Sequence, residues 1–316
     1  MQRIDHRPQL SGLAQWKSQV ARRVLPLVMR SSIRPLWGSR LPVLWQRKIT
    51  EALLRNGWVP SQAVVGETKL GQQVAEVITP RDGSSDQVVF FMHGGGYVVC
   101  SPRTHRPLTS RIGLALKATT YVPHYRLAPE HVFPAGLDDA LDAYRGLLDR
   151  GVNPARVALM GDSAGGGLAL ALALSIRDQG LPMPGKMVLI SPFIDLTLSG
   201  ESLQRNAKAD PMLSLDWIYA KTPMYLGDTP ADHPLASPLF ADLHGLPPTL
   251  VQVGTEEILY SDSERLAARA AEIGWDLTLS VWNGLFHDFQ MMGDILPEAD
   301  QALAEIAAFV KYSTSL

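Results

Sequence analysis

Short apolar runs recur along the chain, each closed by a turn signal. Residues 87–92 are apolar, β-branched and aromatic almost without a break, and 156–160, 186–190 and 249–253 read the same way. Runs of this length and kind predict buried strands. Residues 277–282 alternate like a strand, 119–122 give another, and 72–79 alternate weakly and give an early one. Between them lie helix-forming stretches at about 104–117, 135–150, 164–179, 261–273 and 297–312. Strands alternating with helices predict an α/β fold: a mostly parallel sheet with helices on both faces. No internal repeat or low-complexity tract interrupts the pattern.

The densest chemical signal joins the run 156–160 to the helix 164–179. Gly161-Asp162-Ser163-Ala164-Gly165 reads G-x-S-x-G. Strand, sharp turn and helix is the setting in which that pattern forms a nucleophile elbow. The glycines fit because the turn leaves no room for side chains beside the serine. A serine hydroxyl is a weak nucleophile at neutral pH. It needs a base, a group that orients the base, and donors for an oxyanion.

For the donors, the strand at 87–92 runs into His93-Gly94-Gly95-Gly96-Tyr97. Three glycines leave backbone N–H groups free to approach a ligand closely. The H-G-G-G loop, with the amide of Ala164, is the candidate oxyanion hole. The base should follow the nucleophile in chain order. His287 does so, on the loop Asn283-Gly284-Leu285-Phe286-His287 after the last strand. His93 reads as a structural part of the glycine turn. The acid is less sharply marked. Glu257 lies on the loop beyond the strand 249–253 and is favoured, with Asp262 and Glu256 as competitors. Ser261-x-x-Glu264 reads as a capping box that starts a helix, which gives Asp262 a structural reason to sit in a first turn. Asp162 reads as an anchor of the elbow, Arg126 as the partner of a nearby carboxylate and Asp195 as a loop brace.

These motifs together resemble the bacterial hormone-sensitive-lipase-like esterases within the α/β-hydrolases. The resemblance runs from about 88 to 289. It rests on His93-Gly94-Gly95-Gly96, Tyr125-Arg126-Leu127-Ala128-Pro129-Glu130, Phe133-Pro134-Ala135-Gly136-Leu137-Asp138-Asp139-Ala140 and Gly161 to Gly166. Ser191-Pro192-Phe193-Ile194-Asp195-Leu196-Thr197 and His287-x-Phe289 complete it. It implies hydrolysis of carboxylic esters with short to medium acyl chains, without a cofactor. It implies oxyanion donors at Gly95, Gly96 and Ala164, with Gly94 setting the turn. The family acid is usually Asp in Asp-x-Leu; here Glu257-Ile258-Leu259 stands in that place, one methylene longer. Amide hydrolysis, acyl transfer and a non-catalytic ligand-binding role on the same fold are the rival readings.

Composition changes the picture mainly at the N-terminus. Net charge is −2, which gives no reason to expect nucleic acid. Yet residues 1–48 hold ten Lys and Arg against the single acid Asp5, leaving 19 basic and 30 acidic side chains elsewhere. Family resemblance implies that residues 1–50 form an N-terminal helical cap segment and 195–226 a second one. Residues 51–194 and 227–316 would then form the core. Met212, Trp217 and Tyr219 of the second segment are candidate pocket residues. Basic residues interleaved with Trp and Leu can also lie on an anionic membrane, so peripheral membrane contact is a second reading of the N-terminus. No apolar run is long enough for a signal peptide or a span. The lone Cys100 excludes an internal disulfide, and a soluble, cytoplasmic protein is expected. No metal or nucleotide motif is present. The resemblance suggests a homodimer through a sheet edge.

Overall fold

The computed structural model describes residues 1–6, 10–38, 41–54 and 58–311. Arg7 and Arg40 of the basic segment, and Tyr312 at the expected end of the last helix, lie outside them. The strands are β1 (Gln2–His6), β2 (Ala63–Leu70), β3 (Gln73–Pro80), β4 (Val88–Met92), β5 (Thr119–Pro123), β6 (Val157–Asp162), β7 (Lys186–Ile190), β8 (Thr249–Gly254) and β9 (Leu277–Trp282). Among the described residues they form one sheet, ordered β1-β9-β8-β7-β6-β4-β5-β3-β2. It is parallel from β1 through β5, and antiparallel where β3 joins β5 and β2.

The apolar runs occupy the middle of this sheet because both faces there are covered. Successive strand residues point to opposite faces. Val88, Phe90 and Met92 of β4 accordingly join one core cluster, while Val89 and Phe91 join another. Helices α1 (Gly12–Ser31), α2 (Ile33–Leu36) and α3 (Val43–Leu54) come first. They are followed by α4 (Pro102–Leu116), α5 (Ala135–Asp149) and α6 (Ser163–Asp178). After these come α7 (Ser202–Arg205), α8 (Leu215–Leu226), α9 (Tyr260–Ile273) and α10 (Pro297–Lys311). α5, α6 and α9 cover one face, and α4 and α10 the other.

Two strands were not expected from the pattern. β2 forms a hairpin with β3, Leu70 opposite Gln73, and is buried only at its two ends, Ala63 and Leu70. β1 is short and polar, yet pairs in parallel with β9, Gln2 opposite Thr278 and His6 opposite Trp282. The His6 ring stacks on Trp282 at 4.1 Å between centroids. Residues 2–6 therefore belong to the sheet, which corrects the assignment of all of 1–50 to a cap. α3 also runs across the expected boundary at 50/51. The capping box at Ser261 does not form. α9 starts at Tyr260, and the Ser261 hydroxyl accepts a hydrogen bond from the Ser202 amide instead, at 2.8 Å.

The helices before β2 meet α8 above the C-terminal ends of the strands. Trp37 stacks on Trp217, centroids 5.4 Å apart, and the Trp217 indole N–H donates to Gln46 Oε1 at 3.0 Å. α1 is fixed to α10 by a buried polar clamp. Glu298 accepts from Ser18 Oγ at 2.5 Å and from Arg22 Nε at 2.9 Å.

Candidate active site

β6 ends at Asp162, and the chain turns at once into α6 through Ser163, whose φ is +52°. A non-glycine residue holds this left-handed conformation only when its surroundings enforce it. Here a side chain at Gly165 would run into the Met92 carbonyl, so the turn can pack tightly on the end of β4. The serine is thereby raised at the end of the sheet, at the N-terminus of a helix.

The loop after β9 brings His287 to it. Nε2 of His287 lies 2.9 Å from Ser163 Oγ, and Nδ1 lies 3.0 Å from Glu257 Oε2. Glu257 is buried on the loop after β8, and its second oxygen accepts from Ser191 Oγ at 2.8 Å and from the Gly254 amide at 2.5 Å. Asp262 stands elsewhere. Its carboxylate receives the Ile194 and Asp195 amides at 3.0 and 3.1 Å, tying α9 to the loop after β7. Among the described residues only Glu257 and Asp288 bring a carboxylate to the imidazole; Glu256 does not. Asp288 Oδ2 lies 3.1 Å from Nε2, and Oδ1, also buried, has no partner among the described residues.

The glycine loop lies beside the elbow. The Gly94 amide is committed to Asp162 Oδ1 at 3.0 Å, which removes it from the candidate donors and joins the loop to the elbow. His105 supports the same carboxylate, Nε2 to Oδ2 at 3.1 Å. The Tyr125 hydroxyl donates to the His93 carbonyl at 2.6 Å. Among the described residues the Gly95 and Gly96 amides make no backbone hydrogen bond. Ala164, in the first turn of α6, offers one of the amides that a helix start leaves unpaired. Gly96 has φ +59°, and a Cβ there would meet the Trp217 ring.

Electrostatics follow from burial and neighbouring charge. Burial pushes the His287 imidazole down, but Asp288 and Glu257 overcome it and hold it well above the usual histidine range. Burial drives the Asp288 carboxyl up, to about 7. His93, buried without a carboxylate partner, is pushed down to about 3 and stays neutral.

The cavity above Ser163 is small, about 90 Å³, and its walls are mostly apolar. Met212 and Trp217 line it, with Trp37 and Leu213. Tyr219 does not: it is 47% exposed. Trp217 and Ile218 take the inward face of α8, and Tyr219, one residue on, is turned out. Cys100 is buried at the cavity wall.

Three supporting residues went unmarked in the sequence. Ser191 holds Glu257. Asp210 accepts from the Met212, Leu213 and Ile258 amides at 2.9, 2.9 and 3.0 Å, linking the segment before α8 to the acid loop. Asp288 faces the imidazole. Ser191 and Asp288 lie inside motifs already singled out, Ser191-Pro192 and His287-x-Phe289, so those motifs were the available signal.

A mostly parallel sheet of this order, with a strained serine at the turn from strand to helix, defines the α/β-hydrolases. The family model described as the alpha/beta hydrolase fold matches residues 89–291, and the chain belongs to that family, among its bacterial hormone-sensitive-lipase-like esterases. It is 37% identical over 294 residues to an acetyl-hydrolase of Streptomyces hygroscopicus, covering 91% of this chain and 96% of that protein. The solved structure of EstE5 superposes with a TM-score of 0.88 at 38% identity, over 92% of this chain and 97% of that one. An esterase structure from the bacterial hormone-sensitive lipase family gives 0.85 at 37% identity, covering 98% and 100%.

Proposed function

We infer that this protein is a carboxylic ester hydrolase that works through an acyl-Ser163 intermediate. The carrying observation is the buried line Ser163–His287–Glu257, with contacts of 2.9 and 3.0 Å. His287 takes the proton from Ser163 as the hydroxyl attacks the ester carbonyl. The Gly95, Gly96 and Ala164 amides receive the oxyanion. His287 gives the proton to the leaving alcohol, then activates water to release the acid. Glu257 keeps the imidazole oriented and stabilises its cation.

Short acyl chains fit the site best. The cavity, about 90 Å³, is smaller than the roughly 150 Å³ that takes a benzene ring. Met212 and Trp217 would contact the acyl group. In this reading the helices before β2, with α7 and α8, act as the cap over a hydrolase core. The partners are a small-molecule ester and, through the basic N-terminal segment, an anionic membrane surface. A homodimer through a sheet edge would use β2 or β1, because β1 covers β9.

The test is hydrolysis of p-nitrophenyl esters from acetate to palmitate by wild type and Ser163→Ala. Activity should favour the short chains and vanish in the variant. Folded wild type that cleaves none of them would overturn the esterase reading; product analysis with a competing alcohol separates hydrolysis from acyl transfer.

A further inference from the structure

α1 has two apolar faces. Ala21 and Met29 point inward, onto the cluster formed by Trp282, Phe286 and Phe289. On the opposite side Leu13, Trp16, Val20, Val24 and Leu27 follow one another at intervals of three and four residues, which places them on a single stripe. That stripe faces outward: Leu13 is 69% exposed and Leu27 65%. A contiguous exposed apolar face marks a surface that meets something other than water.

Charge selects the occupant. α1 and α2 contain no acidic residue, and α3 contains one, Glu51. Lys17 and Arg23 stand exposed beside the stripe, and Lys48 is exposed on α3. Two copies of such a face would repel each other; an anionic lipid surface would attract it. The stripe carries a Trp, which favours the boundary between headgroup and acyl chain. No helix among the described residues is long and apolar enough to cross a membrane, so α1 would lie along the surface.

The same cap forms the pocket. α1 passes through Ser32 into α2, whose Ile33 and Leu36 line the cavity over Ser163. Leu53 of α3 lines that cavity while remaining exposed. We propose that the outward face of α1 docks the enzyme on an anionic lipid surface and that esters enter the pocket from the lipid side. The second half of this proposal rests on the esterase reading; the docking itself does not.

The test uses the full chain and two vesicle types, pure phosphatidylglycerol and pure phosphatidylcholine. Wild type should sediment with phosphatidylglycerol vesicles at low salt, less at high salt, and little with phosphatidylcholine. The double variant Val20→Asp, Val24→Asp should lose at least about tenfold in vesicle affinity. It should cleave soluble p-nitrophenyl acetate like wild type, which shows the fold intact, and cleave an ester embedded in phosphatidylglycerol vesicles more slowly. Lys17→Glu with Arg23→Glu should weaken binding without touching the apolar stripe. Wild type left in the supernatant, or a double variant that binds equally, overturns the proposal. So does a wild-type dimer that becomes monomeric in the double variant while neither binds vesicles, which assigns the face to a second copy. Hydrolysis that survives Ser163→Ala would instead sink the esterase reading and leave the docking result standing.

Discussion

Nε2 of His287 faces two oxygens at once, Ser163 Oγ at 2.9 Å and Asp288 Oδ2 at 3.1 Å. A neutral imidazole must leave this nitrogen bare to take the serine proton. An ionised Asp288 favours a proton on it instead. Glu257 adds to this from Nδ1, and Asp162 and Asp210 are further acids whose charge acts on the imidazole. His105, a cation when protonated, faces Asp162 and Asp288 and opposes them. Activity should fall as pH drops through the raised His287 pKa, so the acid limb should lie above the ordinary histidine value of about 6.5. Asp288→Asn should move that limb to lower pH. Asn tolerates the left-handed backbone at this position, φ +53°. A pH profile of kcat/KM on a soluble ester checks this; coincident limbs in wild type and variant would refute it.

Glu257 receives its second support from Ser191. Hydrogen bonds to charged groups contribute about 1.5–3 kcal/mol. Ser191→Ala should therefore lower kcat by roughly 10- to 150-fold with little change in KM. Glu257→Gln should cost more, because a neutral amide cannot stabilise the imidazolium; in a comparable triad an acid-to-amide change costs about 10⁴. Near-normal turnover by Glu257→Gln would remove it from the role of acid.

Gly96→Ala should cut kcat on the order of 10²-fold, the loss expected when an oxyanion donor is displaced. The new methyl would press on the Trp217 ring, in a backbone conformation that disfavours any side chain. Gly83→Ala is the control. Its φ is also positive, at +94°, but it opens onto free space in the turn before β4, whereas the glycine loop follows the other end of that strand. Equal activities of the two variants would show that the loop geometry is not critical.

Glu298 is buried where α1 meets α10. Glu298→Ala leaves Ser18 and Arg22 without their partner. Arg22 is about a quarter exposed, so the cost should be about 2 kcal/mol rather than the 3–5 of a fully buried pair. Cleavage of α1 by a protease under native conditions should accelerate before the core unfolds. An unchanged digestion rate would mean that apolar packing alone holds the helix.

How far the sequence could be read depended on the range of the signal. Strands buried on both faces, such as β4 and β7, announce themselves by continuous apolar runs. The polar β1 owes its existence to β9, a partner at the other end of the chain, and carries no such mark. Around the site, Ser163, His287 and Glu257 could be singled out because local motifs and chain order point to them. The competition between Glu257 and Asp262 was harder, since the amides that claim Asp262 belong to Ile194 and Asp195, on a distant loop. Ser261 misled for the same reason: a local capping pattern gave way to a contact with Ser202. Met212 and Trp217 reach the cavity while Tyr219 does not, a difference that depends on the rotation of α8 and not on residue type.

The pairing of β1 with β9 also sets an order of events in time. Gln2–His6 leaves the ribosome long before Leu277–Trp282, and no neighbouring hairpin can offer a parallel partner in the interval. β1 thus waits, hydrated, while the centre of the sheet assembles without it. Contacts so far apart in sequence form slowly. On a refolding chain, amide exchange should protect Ile4 after Leu159 of β6; simultaneous protection would contradict this order. The roof of the catalytic pocket follows β1 in the chain and His287 follows β9, so newly made enzyme would hold the nucleophile elbow before it holds either its base or a closed pocket.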